Sequence, residues 1–257
     1  MIRDDCITLC EEVATIVRRA ASQLGTDDRR VERSLPRDVK IAGDRRVHEF
    51  LAEQLHGYGW PILSEEAPID LPSSGPCWVV DPIDGSMNFA RQIPLSCVSV
   101  ALWIDGGPKL GVVCDITRAE LFTAIAAETA FLNDRPITVS DVVHAHDAVL
   151  CTGFPAEADF SSTRVAAFVR DIQRFRKVRL LGSAALSLAY VAAGRADAYI
   201  EHSIAIWDVA AGLALVSGAG GVFSWKPAGP PYRYDVQAFA HESIGEGRRL
   251  SQGRKQD

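Results

Sequence analysis

The chain has 257 residues, of which 47% are hydrophobic and 23% charged, and its formal net charge is −6. This composition is typical of one large globular domain or two closely packed ones, and the acidic balance disfavours nucleic acid and anionic membranes as partners. The apolar runs, such as Val98 to Ile104, are too short to span a bilayer, and the first residues carry no signal-peptide pattern. We therefore expect a cytoplasmic protein with no membrane contact.

The first half of the chain predicts two helices followed by an antiparallel meander. Apolar residues from Cys6 to Leu24 recur at alternating steps of four and three, which is typical of an amphipathic helix, and a second helix is expected from Asp44 to Leu55. A charged segment separates them. A short strand then ends at Glu65 and Glu66, a buried strand runs into Asp81, and further strands are expected at 95–104, 109–116 and 120–125.

From about residue 147 the pattern changes to alternating strands and helices. Strands are expected at 148–151, 178–181, 196–201 and 222–225, and helices after Ser161, from Gly182 to Ala192 and from Trp207 to Val216. The long connections are typical of parallel strands. We therefore divide the chain into an N-terminal half (1–146), a C-terminal half (147–245) and a tail (246–257) that is expected to fray, with the functional site at the junction of the halves.

Cysteine and histidine give no sign of a disulfide framework or a zinc site. None of the six cysteines belongs to a C-x-x-C pair, and we expect them to be reduced and buried. His144 and His146 are close together, but no cysteine or third histidine flanks them. This favours a solvated loop over a zinc site.

Two aspartates, Asp81 and Asp84, directly follow the apolar run Trp78-Val79-Val80. Carboxylates at a strand end lie where α/β proteins build their sites. Two of them this close repel each other, so the arrangement is stable when cations bind or a proton is shared. Since hard oxygen ligands suit Mg²⁺, the segment predicts a magnesium site that handles phosphate.

Spacing excludes two other interpretations of this segment. An EF-hand loop needs oxygen ligands at alternate positions and a glutamate at the twelfth, where this chain has Pro82, Ile83 and Gln92. A haloacid-dehalogenase-type motif places one residue between its aspartates. This chain has two there, and we expect this slip of one residue to turn the second carboxylate away.

Two further acidic positions are ambiguous when taken alone. Glu65 and Glu66 have the pattern of a solvated pair at a strand end. Asp208 opens an apolar helix, where helix capping explains a carboxylate as well as metal binding does.

Three motifs together resemble those of the inositol monophosphatase family, in the family's order and at similar spacing. They are Glu65-Glu66, Asp81-Pro82-Ile83-Asp84-Gly85-Ser86-Met87-Asn88-Phe89, and Trp207-Asp208-Val209-Ala210-Ala211-Gly212 with Ala219-Gly220-Gly221. The resemblance implies an α/β (α+β layered) fold, an αβαβα sandwich, and a homodimer. It also implies Mg²⁺-dependent, lithium-sensitive hydrolysis of a small phosphate monoester by a water molecule that the metal activates.

The resemblance also assigns roles to residues at the site. Glu65, Asp81 and the Ile83 carbonyl would hold one Mg²⁺, and Asp81 would bridge to a second ion held by Asp84 and Asp208. Glu65 and Ser86 would orient the attacking water, with serine standing where the family usually has threonine. The backbone N–H groups of Gly85 and Ser86 would receive the phosphate.

A third ion and the substrate contacts are implied at three further places. Asp44 matches the family's aspartate for a third Mg²⁺, although Lys40-Ile41 replace the usual Val-Thr before it, and an ordinary helix cap explains Asp44 equally well. Gly182-Ser183-Ala184 and Glu201 match segments that face the substrate.

The implied substrate is an inositol phosphate or a similar polyol or sugar phosphate. A 3′(2′),5′-bisphosphate nucleotide, histidinol phosphate and fructose bisphosphate stay open, because related enzymes share metal chemistry and differ in pocket loops such as Phe154 to Phe160. A partner-binding protein on the same scaffold would predict eroded ligands, and a metal-storage module would bind Mg²⁺ without turnover. The ligand positions are all filled, which favours an enzyme.

Overall fold

The computed structural model describes residues 3–35, 38–154, 160–229 and 232–246. Its first layer contains two helices, α1 (Arg3–Ser22) and α2 (Ala42–His56). Between them, β1 (Val31–Leu35) and β2 (Asp38–Ile41) form an antiparallel pair. The sequence pattern predicted only a charged segment here. The side chains of β1 from Val31 to Ser34 are exposed, so it lacks the alternation of apolar residues by which a strand is recognised.

A seven-stranded sheet forms the second layer, with strand order β3-β4-β5-β6-β7-β8-β9. β3 is parallel to β4 and the later pairs are antiparallel, which confirms the predicted meander. The short β8 and β9 were not predicted. The elements are β3 (Ile62–Ser64), β4 (Pro76–Asp84), the one-turn helix α3 (Ser86–Ala90), β5 (Cys97–Ile104), β6 (Gly107–Asp115), β7 (Leu121–Ile125), β8 (Thr129–Leu132) and β9 (Arg135–Pro136).

A five-stranded sheet follows, with strand order β11-β10-β12-β14-β13. β10 is parallel to both of its neighbours, as the long connections predicted, whereas β14 is antiparallel to both of its own. The strand β14 was not predicted. The elements are β10 (Val149–Thr152), α4 (Ser162–Ile172), β11 (Lys177–Leu180), α5 (Ala184–Ala192), β12 (Ala198–Ala205), α6 (Ile206–Gly218), β13 (Val222–Pro227) and β14 (Arg233–Phe239).

The layers are held together by apolar residues that alternate between sheet faces. On β5, Val98 and Val100 pack with α1 and α2, while Ala101 and Trp103 face α5 and α6. Because successive strand residues point to opposite faces, β5 contributes to two hydrophobic clusters, one on each face of the sheet. The second cluster also includes Tyr199 and Val236 of the five-stranded sheet, so α5 and α6 lie between the sheets.

A third cluster covers the other face of the five-stranded sheet and includes Ile172 at the end of α4. The layer order is therefore helices, sheet, helices, sheet, helix, which confirms the expected αβαβα arrangement. The seven-stranded sheet uses residues before 147 and the five-stranded sheet residues after it. The division of the chain into two halves at that point stays a prediction.

The structure also bears on the expectations for cysteine, histidine and membrane-spanning segments. All six cysteines are free and buried. His144 and His146 are exposed, and their rings stack on each other in and beside a short 3-10 helix. Among the described residues, no helix combines the length and apolar character that crossing a membrane requires. The tail from residue 247 onwards lies outside the described residues.

Candidate metal centre and active site

A β-bulge at the end of β4 determines where the two aspartates point. Asp81 lies opposite Ser99 and Asp84 opposite Cys97, so three steps on β4 match two steps on β5. Residues three apart on a regular strand face opposite sides of the sheet, but the extra residue of a bulge restores a common direction. Both carboxylates therefore line the same cavity.

Asp208 completes a cluster of three carboxylates with this pair. It stands in the first turn of α6, where Ala205 is the N-cap residue, so Asp208 is not itself the cap. One carboxylate oxygen from each of Asp81, Asp84 and Asp208 lies within 4.8 Å of the others. The helix thus carries a third acid to the strand end from more than a hundred positions away in the chain.

The carboxylates of this cluster are buried close together and repel one another. Asp81 is 2% exposed, and its buried Oδ1 has no hydrogen-bond partner among the described residues. Burial, followed by the charges of Glu65, Asp84 and Asp208, holds the pKa of Asp81 well above its usual range. Buried polar atoms nearly always have a partner. An orphaned carboxylate oxygen beside two other acids fits a hard divalent cation such as Mg²⁺.

Asp84 is held in place by the start of α5. Its Oδ2 accepts a hydrogen bond from the Ser183 hydroxyl at 2.5 Å and another from the Ala185 backbone N–H at 2.7 Å. Burial raises the pKa of Asp84 to about 6, although these hydrogen bonds work to lower it. The Ser183 hydroxyl also accepts from the Leu186 N–H. Ser183, predicted as a substrate contact, thus lies in the cavity wall with its hydroxyl engaged by Asp84.

Asp44 and Ser86 form a second group, joined by a hydrogen bond, of which Ser86 lines the cavity. Asp44 is the third residue of α2, whose N-cap residue is Ile41, so Asp44 is not itself the N-cap residue. Its Oδ2 accepts from the Ile41 N–H at 2.8 Å and so helps to cap the helix from inside the first turn. The Ser86 hydroxyl lies 3.0 Å from Asp44 Oδ1 and 2.8 Å from the Ile83 carbonyl oxygen. Burial raises the pKa of Asp44 to about 7. Asp44 thus reaches the site through Ser86.

Glu65, at the end of β3, is paired with a lysine. Lys40 Nζ lies 2.7 Å from Glu65 Oε1 and 2.5 Å from Glu66 Oε1. Burial works to lower the pKa of Lys40, but the charges and hydrogen bonds of the two glutamates outweigh it and raise the pKa. Lys40 therefore stays charged. The sequence had singled out Lys40 only as a departure from the family pattern.

Gly85 turns the chain from β4 into α3. Its φ is +85°, and a Cβ there would lie 2.8 Å from the Leu95 carbonyl oxygen, so a larger residue would be strained and crowded. This turn brings the backbone of Gly85 and Ser86 to the wall of the cavity that contains Asp81 and Asp84.

Glu201 forms the far wall of the cavity. It is buried on β12, and the Tyr199 hydroxyl donates to its Oε2 at 2.9 Å. Burial raises the pKa of Glu201 to about 7. A Cβ on Gly153 would lie 2.6 Å from the Glu201 carboxylate, so glycine there leaves room for the acid. Glu201 thus presents a buried carboxylate to the cavity that contains the cluster.

The cavity has a volume of about 290 Å³ and is lined by every predicted site residue except Asp44. Sequence reasoning missed other lining residues, among them Thr152, Trp207 and Arg233. Trp207 was quoted only as part of a motif. Arg233 lies on the unpredicted strand β14, and no local pattern marks it. Phe154 lines the rim, and the loop 155–159 beyond it lies outside the described residues.

Comparison with known proteins agrees with this architecture. The sequence model described as "Inositol monophosphatase family" matches residues 5–243. The chain is 45% identical over 196 residues to a protein named Nus factor SuhB from Xylella fastidiosa. The matched segment covers 76% of this chain and 70% of that protein. It is 37% identical over 194 residues to an inositol-1-monophosphatase from Mesorhizobium japonicum, which covers 74% of this chain and 73% of that protein.

A solved structure extends the similarity to almost the whole fold. The extragenic suppressor protein suhB from Bartonella henselae superposes with a TM-score of 0.79 at 31% identity, over 92% of this chain and 95% of that one. The acidic cluster stands at the end of β4, inside the segment that the family model matches. The chain belongs to the inositol monophosphatase family.

Proposed function

We propose that the protein is a Mg²⁺-dependent phosphomonoesterase that hydrolyses an inositol phosphate or a similar small polyol or sugar phosphate. The observation that carries this proposal is the cluster of Asp81, Asp84 and Asp208, whose carboxylate oxygens lie within 4.8 Å of one another. The buried Oδ1 of Asp81, which has no hydrogen-bond partner among the described residues, supports a cation there.

In this proposal Asp81 contributes to two cation positions. Glu65 and the Ile83 carbonyl would share the first position with it, and Asp84 and Asp208 would share the second. Divalent cations held by these residues would supply positive charge to the phosphate oxygens and would make a water molecule more acidic, and therefore a better nucleophile towards phosphorus. The hydrogen bonds that Asp84 accepts from Ser183 and Ala185 hold its other oxygen in place, as outer contacts commonly do for metal ligands.

The remaining residues position the reactants. The Ser86 hydroxyl, held between Asp44 and the Ile83 carbonyl, would orient the attacking water together with Glu65. The backbone N–H groups of Gly85 and Ser86 would donate to the phosphate. Asp84 and Asp208 would also contact the bound ester, and Gly182, Ser183 and Ala184 would form the wall beside it.

Cavity size and polarity favour a small hydroxylated leaving group. A volume of about 290 Å³ is at the lower end of the range for ligand pockets, which suits a polyol phosphate better than a nucleotide bisphosphate. Glu201 would accept hydrogen bonds from the hydroxyl groups of the ring. Histidinol phosphate and fructose bisphosphate remain alternative substrates of the same chemistry.

The test is phosphate release from a panel of compounds in the presence of Mg²⁺ or EDTA. The panel contains inositol phosphates, histidinol phosphate, fructose bisphosphate and 3′-phosphoadenosine 5′-phosphate. We expect chelator-sensitive turnover of an inositol phosphate or another polyol phosphate. Turnover that EDTA leaves unchanged would contradict the metal assignment, and turnover of the nucleotide alone would contradict the substrate class.

A second candidate function is a partner-binding or regulatory role. The observation that favours it is the 45% identity to a protein named Nus factor SuhB. This candidate stands against our expectation, drawn from the net charge of −6, that nucleic acid is not a partner. It predicts that the panel gives no turnover although Mg²⁺ binds, whereas any chelator-sensitive turnover supports the enzyme.

We make three further proposals, of which the first two rest on family membership. We expect a homodimer, which light scattering coupled to gel filtration would measure. We expect Li⁺ to inhibit by replacing a Mg²⁺ ion, and turnover that is insensitive to Li⁺ would place the protein in a distant branch of the family. We expect the protein in the cytoplasm, which cell fractionation would test.

A further inference from the structure

Lys40 places a permanent positive charge against the outer edge of the proposed metal centre. Its Nζ lies 2.7 Å from Glu65 Oε1 and 2.5 Å from Glu66 Oε1, so one ammonium holds one oxygen of each glutamate. The three side chains are 25%, 21% and 22% exposed. A half-buried ammonium between two carboxylates is more strongly held than a surface ion pair, because solvent screens it less.

The position of Lys40 relative to the inner cluster is set by the fold. Lys40 lies on β2, and Asp38 at the start of the same strand lines the cavity together with Glu65. The inner cluster consists of Asp81, Asp84 and Asp208. Glu65 contacts Lys40 and lines the cavity together with that cluster, so it links the two.

Charge balance separates the carboxylates into two groups. Two divalent ions at the inner positions bring four positive charges to Asp81, Asp84, Asp208 and one side of Glu65. The outer pair, Glu65 Oε1 and Glu66 Oε1, already faces the ammonium. Another divalent ion at these two oxygens would have to displace Lys40 or sit against a like charge, which is unfavourable.

We propose that the ammonium of Lys40 is a built-in cation that occupies the outer cation position beside Glu65 and Glu66, so that the site takes two divalent ions and not three. This inference rests on the proposed function. Lys40 acts as a positioning residue, because it restrains Oε1 of Glu65 and leaves Oε2 for the inner ion. Asp44 then binds no ion. Its two oxygens accept hydrogen bonds from the Ser86 hydroxyl and the Ile41 N–H.

The test counts Mn²⁺ ions bound per chain, by following free Mn²⁺ with electron paramagnetic resonance during a titration. We expect two for the wild-type protein. Lys40→Met removes the charge at similar length and exposes two adjacent carboxylates, so we expect it to bind one additional, weaker Mn²⁺. Lys40→Arg keeps the charge and should return the count to two.

Lys109→Met is the matched control. Lys109 also pairs with a glutamate, Glu128, at 3.4 Å, and both lie away from the cavity lining. The Lys109→Met variant should bind the same number of Mn²⁺ ions as the wild type.

Two results would overturn the inference while leaving the proposed function intact: three Mn²⁺ ions in the wild type, or the same count and affinities in wild type and Lys40→Met. The wild-type count decides the first result even if the variant does not fold. No Mn²⁺ binding by the wild type would instead overturn the metal proposal itself, and this inference with it.

Discussion

The Ser183 hydroxyl donates a 2.5 Å hydrogen bond to Oδ2 of Asp84, although the two residues are 99 positions apart. This bond joins the start of α5 to the end of β4, and thereby links the second half of the chain to the carboxylate cluster. Since Ser183 also caps α5 by accepting from the Leu186 N–H, the position of the helix and the orientation of the carboxylate depend on one side chain.

Ser183→Ala should therefore impair catalysis more than stability alone explains. Loss of a hydrogen bond that orients a metal ligand typically lowers metal affinity or activity about 10- to 100-fold. We expect a drop of that size in kcat/KM, partly restored by raising Mg²⁺, measured by phosphate release over a Mg²⁺ series.

Ser140→Ala is the control for this change. The Ser140 hydroxyl makes a comparable 2.5 Å hydrogen bond to Asp197, far along the chain, and neither residue lines the cavity. Ser140→Ala should lower Tm and leave kcat/KM unchanged. An equal loss of activity in both variants would show that destabilisation, not carboxylate orientation, is responsible.

Asp84→Asn should abolish turnover and preserve the fold. The amide oxygen can still accept from Ser183 and Ala185, but one negative charge leaves a buried cluster in which Asp81 and Asp208 repel it. We expect kcat below detection together with an equal or higher Tm in EDTA, measured by scanning calorimetry. Asp105→Asn, at an exposed position, is the control. Near-normal activity of Asp84→Asn would contradict the assignment of two ions to this site.

Glu201 should make the stability of the protein depend on pH. Burial raises its pKa from 4.5 to about 7, so the folded state binds a proton more tightly than the unfolded chain does. Stability from this group is full below pH 4.5 and is lost as the pH rises towards 7. The loss is on the order of 3 kcal/mol, since one pKa unit corresponds to about 1.4 kcal/mol.

Glu201→Gln removes this dependence, because a glutamine can still accept from Tyr199 without ionising. The difference in unfolding free energy between variant and wild type should therefore shift in favour of the variant between pH 4.5 and 8, as followed by urea denaturation. For the variant Glu53→Gln, at an exposed position, the difference in unfolding free energy from the wild type should not change with pH. A flat difference for Glu201→Gln as well would indicate that Glu201 is charged and compensated in the folded protein.

Glu201→Gln also tests substrate recognition. A buried carboxylate opposite the carboxylate cluster would contact the hydroxyl groups of a polyol but not an aryl leaving group. We expect KM for an inositol phosphate to rise more than KM for an aryl phosphate, with little change in kcat, because the lost interaction is present in both ground and transition states. Equal effects on the two substrates would exclude Glu201 from the substrate site.

Two failures of the sequence analysis have a common physical cause. The strand β14 and the pair β1–β2 were missed because partly exposed strands lack a strong alternation of apolar residues. As a result Arg233 on β14 and Lys40 on β2 were not recognised as neighbours of the site, although Arg233 lines the cavity and Lys40 contacts Glu65.

The sequence by itself determined the contiguous parts of this protein: the helices α1, α2, α5 and α6, the meander, and the Asp81 to Phe89 motif with its family. These depend on local periodicity and on residues adjacent in the chain. Only the tertiary structure decided that a bulge turns Asp81 and Asp84 the same way, that Ser183 holds Asp84, and that Lys40 faces Glu65. Such contacts arise from the packing of layers, and residues far apart in sequence leave no local pattern of their proximity.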